Sequence, residues 1–193
     1  EDENRPLKAL VYRGPGACED GCYQAAYLMA LRSGLVPVYV GPQELNSQSS
    51  PSQIEKLFKG VALWIQPGGK SRIVMSSLHP VMKSALINFV QQGGAYVGFC
   101  AGAFASTTKV GTSSWPGYGF LPGATALLTT AKPAEILAVN WNGKTRQVYW
   151  EGGPYLYDLN LSSSLAAAEP VAHYQNGQIA AARGYFGKGK VFV

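Results

Sequence analysis

Short apolar runs alternating with stretches of helical period dominate the first hundred residues of this chain. Residues 7–12, Leu-Lys-Ala-Leu-Val-Tyr, are mostly apolar and are stopped by Gly14-Pro15-Gly16, which predicts a buried strand. Tyr23, Ala26, Tyr27, Ala30 and Leu31 then recur at helical spacing until Gly34, and residues 36–40, Val-Pro-Val-Tyr-Val, give a second strand. Strand, helix and strand in so short a span imply a βαβ unit, because parallel strands need a crossover. After a Gly/Pro/Ser/Gln-rich loop at 41–50, Ser50-Pro51-Ser52-Gln53 opens a short helix through 54–58 with proline in its first turn. Residues 61–65 form a third apolar strand, broken by Pro67-Gly68-Gly69. Leu78, Met82, Ala85, Leu86, Phe89 and Val90 then mark one face of a longer helix, with Pro80 in its first turn and Gly93-Gly94 at its end. A fourth strand, 95–99, runs directly into Cys100.

Past that point the texture changes. Residues 107–123 are rich in Gly, Ser, Thr and aromatics and predict a long irregular loop. Residues 136–141 and 145–150 alternate around Asn142-Gly143, the strongest short-range hairpin signal, and 171–174 with 178–182 repeat the pattern around Asn176-Gly177. Gly187-Lys188-Gly189 precedes a last strand at 190–193. A chain of 193 residues is expected to form one domain, residues 1–193, large enough to bury a full core. The class expected is α/β, with a mostly parallel sheet and β-hairpins in the C-terminal half.

Charge narrows the partners. Sixteen basic and eleven acidic residues give a net charge of +5, yet only 14% of the chain is charged. The basic residues are scattered singles (Lys56, Lys59, Lys70, Arg72, Lys83, Lys109), with no arginine run, so nucleic acid is not a favoured partner and a small-molecule substrate or ligand is expected. No segment approaches the ~18 apolar residues of a membrane span. No Gly-x-Gly-x-x-Gly turn follows the first strand, so no nucleotide or flavin cofactor is expected.

The three cysteines are a close pair, Cys18 and Cys22, and the solitary Cys100. The pair fits a short disulfide, two thiols or half of a metal site; His79 and His173 lack metal-ligand spacing to it, so no metal is expected. A bridged pair implies an oxidising compartment, and the start at Glu1 suits a mature exported chain as well as a trimmed one. The expected location is periplasmic or secreted, with cytoplasmic as the alternative.

Gly98-x-Cys100-x-Gly102, between a strand and small helix-compatible residues, is the spacing of a nucleophile elbow written with cysteine. The glycines permit a tight turn, and the following helix N-terminus favours thiolate; the plain alternative is a small buried hydrophobe. Pro67-Gly68-Gly69 leaves another strand end in the same sheet, where ligands bind. The N–H groups of that corner, with Gly68 as a candidate pocket residue, and the N–H of Ala101 would together form an oxyanion hole; the plain alternative is a turn. Glu19 and Asp20 are the carboxylates expected near Cys100, and Cys18 or Cys22 could resolve an oxidised Cys100. Glu151-Gly152-Gly153-Pro154 is a further loop of high backbone freedom, with Glu151 and Gly153 as candidate pocket residues. For His79 a helix-entry role and for His173 a strand position are the readings preferred over that of a general base.

Five stretches taken in order resemble the class I glutamine amidotransferase-like superfamily, and within it the biotin-protein ligase N-terminal domain-like (BPL_N) family. They are 11–16 (Val-Tyr-Arg-Gly-Pro-Gly), 66–69 (Gln-Pro-Gly-Gly), 98–103 (Gly-Phe-Cys-Ala-Gly-Ala), 149–154 (Tyr-Trp-Glu-Gly-Gly-Pro) and 184–190 (Gly-Tyr-Phe-Gly-Lys-Gly-Lys). The resemblance implies a flavodoxin-like three-layer αβα sandwich. It also implies a cysteine that attacks a glutamine-type amide through a thioester, with Cys100 as nucleophile and Gly69 and Ala101 at the oxyanion-hole positions. Catalytic relatives carry a His-x-Glu pair a few residues past the final strand, and this sequence ends at Val193. Two functions follow: a cysteine-dependent amidohydrolase or amidotransferase, or a catalytically inactive or redox-sensing binding module on the same fold.

Overall fold

The computed structural model describes residues 6–110, 115–128, 133–159 and 168–193. The chain gathers into two compact units, one of residues 1–102 with 187–189, the other of residues 103–186 with 190–193.

In the first unit β1 (Lys8–Tyr12), α1 (Cys22–Arg32), β2 (Val36–Val40), α2 (Pro51–Phe58), β3 (Val61–Gln66), α3 (Ser71–Ser77), α4 (Pro80–Gln91) and β4 (Ala95–Gly98) follow one another. The strands lie in the order β2-β1-β3-β4, all parallel. This is the doubly wound, flavodoxin-like arrangement. The chain leaves β1 toward one edge and resumes at β3 on the other side, so a topological switch point falls between β1 and β3.

The two faces are separable residue by residue. Ala9, Val11 and Ile65 point to one side and pack with Ala26 and Ala30 of α1. One position along, Trp64 faces the other side, where its ring stacks on Phe58 at 6.3 Å between centroids, and Phe58 in turn meets Phe89 of α4 at 5.1 Å. Helices therefore cover both faces, as buried parallel strands require.

The helix starts follow their local chemistry. Ser50 Oγ accepts from Gln53 N–H at 3.3 Å while Gln53 Oε1 accepts from Ser50 N–H at 2.7 Å, a complete capping box in front of Pro51. His79 is the N-cap of α4, its Nδ1 accepting from Val81 N–H at 3.2 Å, and Pro80 follows as the first helical residue. Met82, Leu86 and Val90 are the buried stripe of that helix. Leu78, expected on the same face, instead ends the separate seven-residue α3, because the chain must turn before Pro80.

The second unit is mainly antiparallel. It holds most of α5 (Ala101–Ser106), then β5 (Thr107–Val110), β6 (Trp115–Pro116), β7 (Leu121–Leu127), β8 (Glu135–Trp141), β9 (Lys144–Trp150), β10 (Pro154–Tyr157), β11 (Glu169–Tyr174), β12 (Ile179–Phe186) and most of β13 (Gly189–Phe192). Both Asn-Gly hairpins form: β8 pairs with β9 and β11 with β12, each antiparallel. Asn142 and Gly143 take φ of 47° and 80°, the left-handed pair of a type I′ turn. The loop expected at 107–123 is corrected at both ends. Thr107–Val110 and Leu121–Leu127 are strands paired in parallel, joined below the surface by Thr107 and Thr125 hydroxyls 3.3 Å apart. Their threonines satisfy each other only in the folded pair, so no local period announced them. Residues 111–114 of that stretch lie outside the described residues. Pro154–Tyr157, expected as loop and its flank, is likewise a strand, paired with β7.

Candidate functional site

Three of the segments that leave the carboxyl ends of the parallel strands in the first unit bear on the site: 13–21 after β1, 67–70 after β3, and 99–102 after β4. At the third, Cys100 stands at the strand-to-helix turn with φ 48°, a conformation that an L-residue rarely holds. Gly102 N–H donates to Phe99 O at 2.8 Å across the bend, and Phe99 N–H donates to Gln66 O at 3.0 Å, tying the bend to the end of β3.

The flanking glycines are there because nothing else fits. A Cβ on Gly98 would lie 2.6 Å from the Gly102 carbonyl and 2.8 Å from the Tyr96 ring, whose hydroxyl donates to that same carbonyl at 2.8 Å. A Cβ on Gly102 would strike the Gln66 carbonyl oxygen and come within 2.9 Å of Gln66 Cβ. The spacing seen in the sequence is thus a steric requirement of the turn. Cys100 itself keeps its thiol and is half-buried, Ala101 is fully buried, and Phe99 is exposed at the lip.

Segments 13–21 and 67–70 are clamped together. Ala17 and Gly69 form an antiparallel bridge, flanked by Cys18 N–H donating to Gly68 O at 2.9 Å and Lys70 N–H donating to Gly16 O at 2.8 Å. Gly69 has φ 146°, and a Cβ there would strike Gly16 O. Gly68 is buried, and the outward position of a Cβ on it would be 3.4 Å from Cys100 Cβ and 3.5 Å from Cys22 Sγ. Cys18 and Cys22 are joined by a disulfide whose Cα atoms are 5.3 Å apart. Of the alternatives open for that pair, the bridge is the one present, and it borders Cys100 across a single glycine.

The remaining candidates fall as follows. Glu19 and Asp20 are exposed within the ring closed by the disulfide. Glu151 is exposed in the second unit, accepting from Tyr149 O–H at 2.8 Å, a bond that raises the Tyr149 pKa. Gly153, buried in the same unit, accepts from Trp150 Nε1 at 3.2 Å. His173 lies in β11, opposite Asn140 of β8. Among the described residues no cluster of His, Cys, Asp or Glu forms a metal centre, and no single helix is long and apolar enough to cross a membrane.

Sequence reasoning passed over three residues at this strand edge. Arg13, the first residue after β1, lies over two tyrosine rings, 5.4 Å from Tyr23 and 5.1 Å from Tyr39, beside a cleft of about 390 Å³ that reaches from Gly14 and Pro15 to Glu44. Tyr12 is buried, donates to Pro15 O at 3.0 Å, and has its pKa pushed up to about 12 by that burial. Gln66 is buried beneath the elbow. Its Oε1 accepts from Trp64 Nε1 at 3.2 Å, while its Nε2 has no hydrogen-bond partner among the described residues. Position at a strand end was the available signal for all three. A larger hollow, about 580 Å³, is bordered by Lys8, Gln43 and Lys56 toward the opposite end of β1 and holds none of the elbow residues.

The family model described as "Biotin-protein ligase, N terminal" matches residues 7–113, more than half of the chain, including all three strand-end segments. The chain belongs to the BPL_N family. Its members' likeness to the class I glutamine amidotransferase-like superfamily agrees with the elbow and sheet order described above. A biotin–protein ligase of Schizosaccharomyces pombe is 29% identical over 108 residues, which cover 54% of this BPL_N chain and 16% of the ligase. The chain thus spans far less than two thirds of that relative. Among solved structures, a ThuA-like protein from Bacteroides uniformis aligns with 99% of this chain and 83% of its own at TM-score 0.57 and 13% identity. A cytoplasmic protein of Salmonella typhimurium aligns with 96% and 86%, at TM-score 0.53 and 12% identity. At such identities these two structures speak for the fold alone.

Proposed function

We propose that this BPL_N protein is a cysteine-dependent amidohydrolase or amidotransferase acting on a small carboxamide or related acyl group. The Cys100 thiolate adds to the acyl carbon, the amine leaves, and the thioester is released to water or an acceptor. Gly69 N–H and Ala101 N–H are the donors for the tetrahedral oxyanion, Gly68 lines the floor, and Arg13 at the neighbouring cleft orients an anionic end of the substrate. In catalytic relatives, the family resemblance implies, a His-x-Glu pair is the general base. The disulfide supports a periplasmic or secreted location.

The observation that carries this reading is the left-handed turn at Cys100, held by two glycines that tolerate no side chain. Strain maintained at a single non-glycine residue is what a nucleophile elbow uses to present its side chain. Alkylation with iodoacetamide across pH tests it. Cys100 should react with an apparent pKa below the ~8.5 of an ordinary thiol, and a value at or above that would remove the activated nucleophile. Hydroxylamine added during turnover of simple primary amides should yield hydroxamate from the wild type and none from Cys100→Ser.

A further inference from the structure

Every cysteine in the chain meets at Gly68. Three cysteines occur in 193 residues, two of them far from the third in sequence. Yet Cys100 Cβ and Cys22 Sγ border the same vacant position over Gly68, at 3.4 and 3.5 Å, and Cys18 N–H donates to the Gly68 carbonyl. The bridge between Ala17 and Gly69 and the pair of backbone bonds beside it fix the disulfide-bearing loop against the strand end that faces the elbow. A thiol and a disulfide held side by side in one unit react as an intramolecular pair, at an effective concentration that a solution thiol does not reach.

We propose that Cys100 and the Cys18–Cys22 disulfide form a thiol–disulfide exchange site. The Cys100 thiolate attacks Cys22 Sγ. A Cys100–Cys22 bond forms as the Cys18–Cys22 bond breaks, and the electron pair leaves on Cys18 Sγ, which takes up from solvent the proton that Cys100 gave up. One disulfide and one thiol stand on each side of the step, so no outside oxidant or reductant is consumed. Reach selects Cys22, the sulfur that borders Gly68 beside Cys100. The absence of a side chain at residue 68 is what leaves the path between the sulfurs open. In the exchanged form the elbow sulfur is capped and Cys18 becomes the reactive thiol. The site can therefore store the nucleophile as a disulfide and return it by the reverse step. The inference rests on Cys100 presenting a reactive thiol, and not on acyl transfer.

Disulfide mapping of the full chain tests it. Protein incubated without reductant between pH 6 and 9 is quenched in acid, alkylated, digested and analysed by mass spectrometry. The Cys100–Cys22 pair with alkylated Cys18 should form faster as pH rises and thiolate forms, reaching about a tenth of the molecules or more. Gly68→Ala puts a methyl group at van der Waals distance from both Cys100 Cβ and Cys22 Sγ without striking backbone, so the fold is kept. This variant should show at least tenfold less of the exchanged pair, with Cys18–Cys22 intact. Only the Cys18–Cys22 pair at every pH overturns the proposal. So does a Cys100–Cys18 pair, or equal exchange in Gly68→Ala. Rapid Cys100 alkylation without exchange overturns this site alone, whereas exchange without hydroxamate formation overturns only the acyl reading.

Discussion

Cys100 holds a backbone conformation that costs an L-residue about 1–2 kcal/mol, and its neighbours leave it no other. That cost can be measured by substitution. Cys100→Gly should be more stable than Cys100→Ala by about 1 kcal/mol in urea unfolding, because glycine accepts φ of 48° freely. Equal stabilities would mean the turn relaxes and is not strained. Gly102→Ala should be worse than either, losing roughly 2 kcal/mol or more, since its methyl would meet the Gln66 backbone rather than a movable side-chain end. Tyr12 carries the clearest titration. Burial lifts its folded pKa from 10.0 to about 12, so the native state keeps the phenolic proton more tightly than the unfolded chain does. The resulting stabilisation is whole below pH 10 and is lost as pH climbs through 12, a fall of at most about 3 kcal/mol. Tyr12→Phe should flatten the pH dependence of the urea midpoint in that window. It should also loosen the 13–21 segment, since the Pro15 carbonyl loses its donor.

Helices and hairpins carry their own signals to different degrees. The β8–β9 hairpin is written locally, its two-residue Asn-Gly turn being fixed by φ values that only such residues accept. Gly143→Ala, with open space around it, should cost about 1 kcal/mol through backbone strain alone. The capping box of α2 is equally local, and Ser50→Ala should cost about 1 kcal/mol. Both are read as shifts in the urea midpoint at unchanged slope. β5, β7 and β10 are another matter. Thr107–Val110 and Pro154–Tyr157 are only four residues each, too short for a period to show, and their pairing with Leu121–Leu127 supplies what the local sequence lacks. α3 escaped notice for the same reason, being seven residues with Val74 its only buried one.

The whole chain shows the same division between what is local and what is brought together. The disulfide closes a ring of five residues, for which chain entropy gives about 2 kcal/mol. Reduction with dithiothreitol should lower the unfolding free energy by about that amount, and should do so equally in the Cys100→Ser variant.

The sequence by itself determined that the strands of the first unit run parallel, because apolar runs separated by helical stretches call for crossover connections. It determined both Asn-Gly hairpins, and it marked Cys100, because an elbow needs its glycines at fixed offsets along one chain. Only the tertiary structure decided that the Gly68-Gly69 corner is bridged to Ala17, that Cys18 and Cys22 are joined, and that Cys22 and Cys100 border one glycine. Spacing along a chain encodes turns and periods, whereas contact between residues eighty positions apart depends on where strand ends come to rest. That placement is fixed by the packing of the entire sheet, and no short stretch of residues carries it.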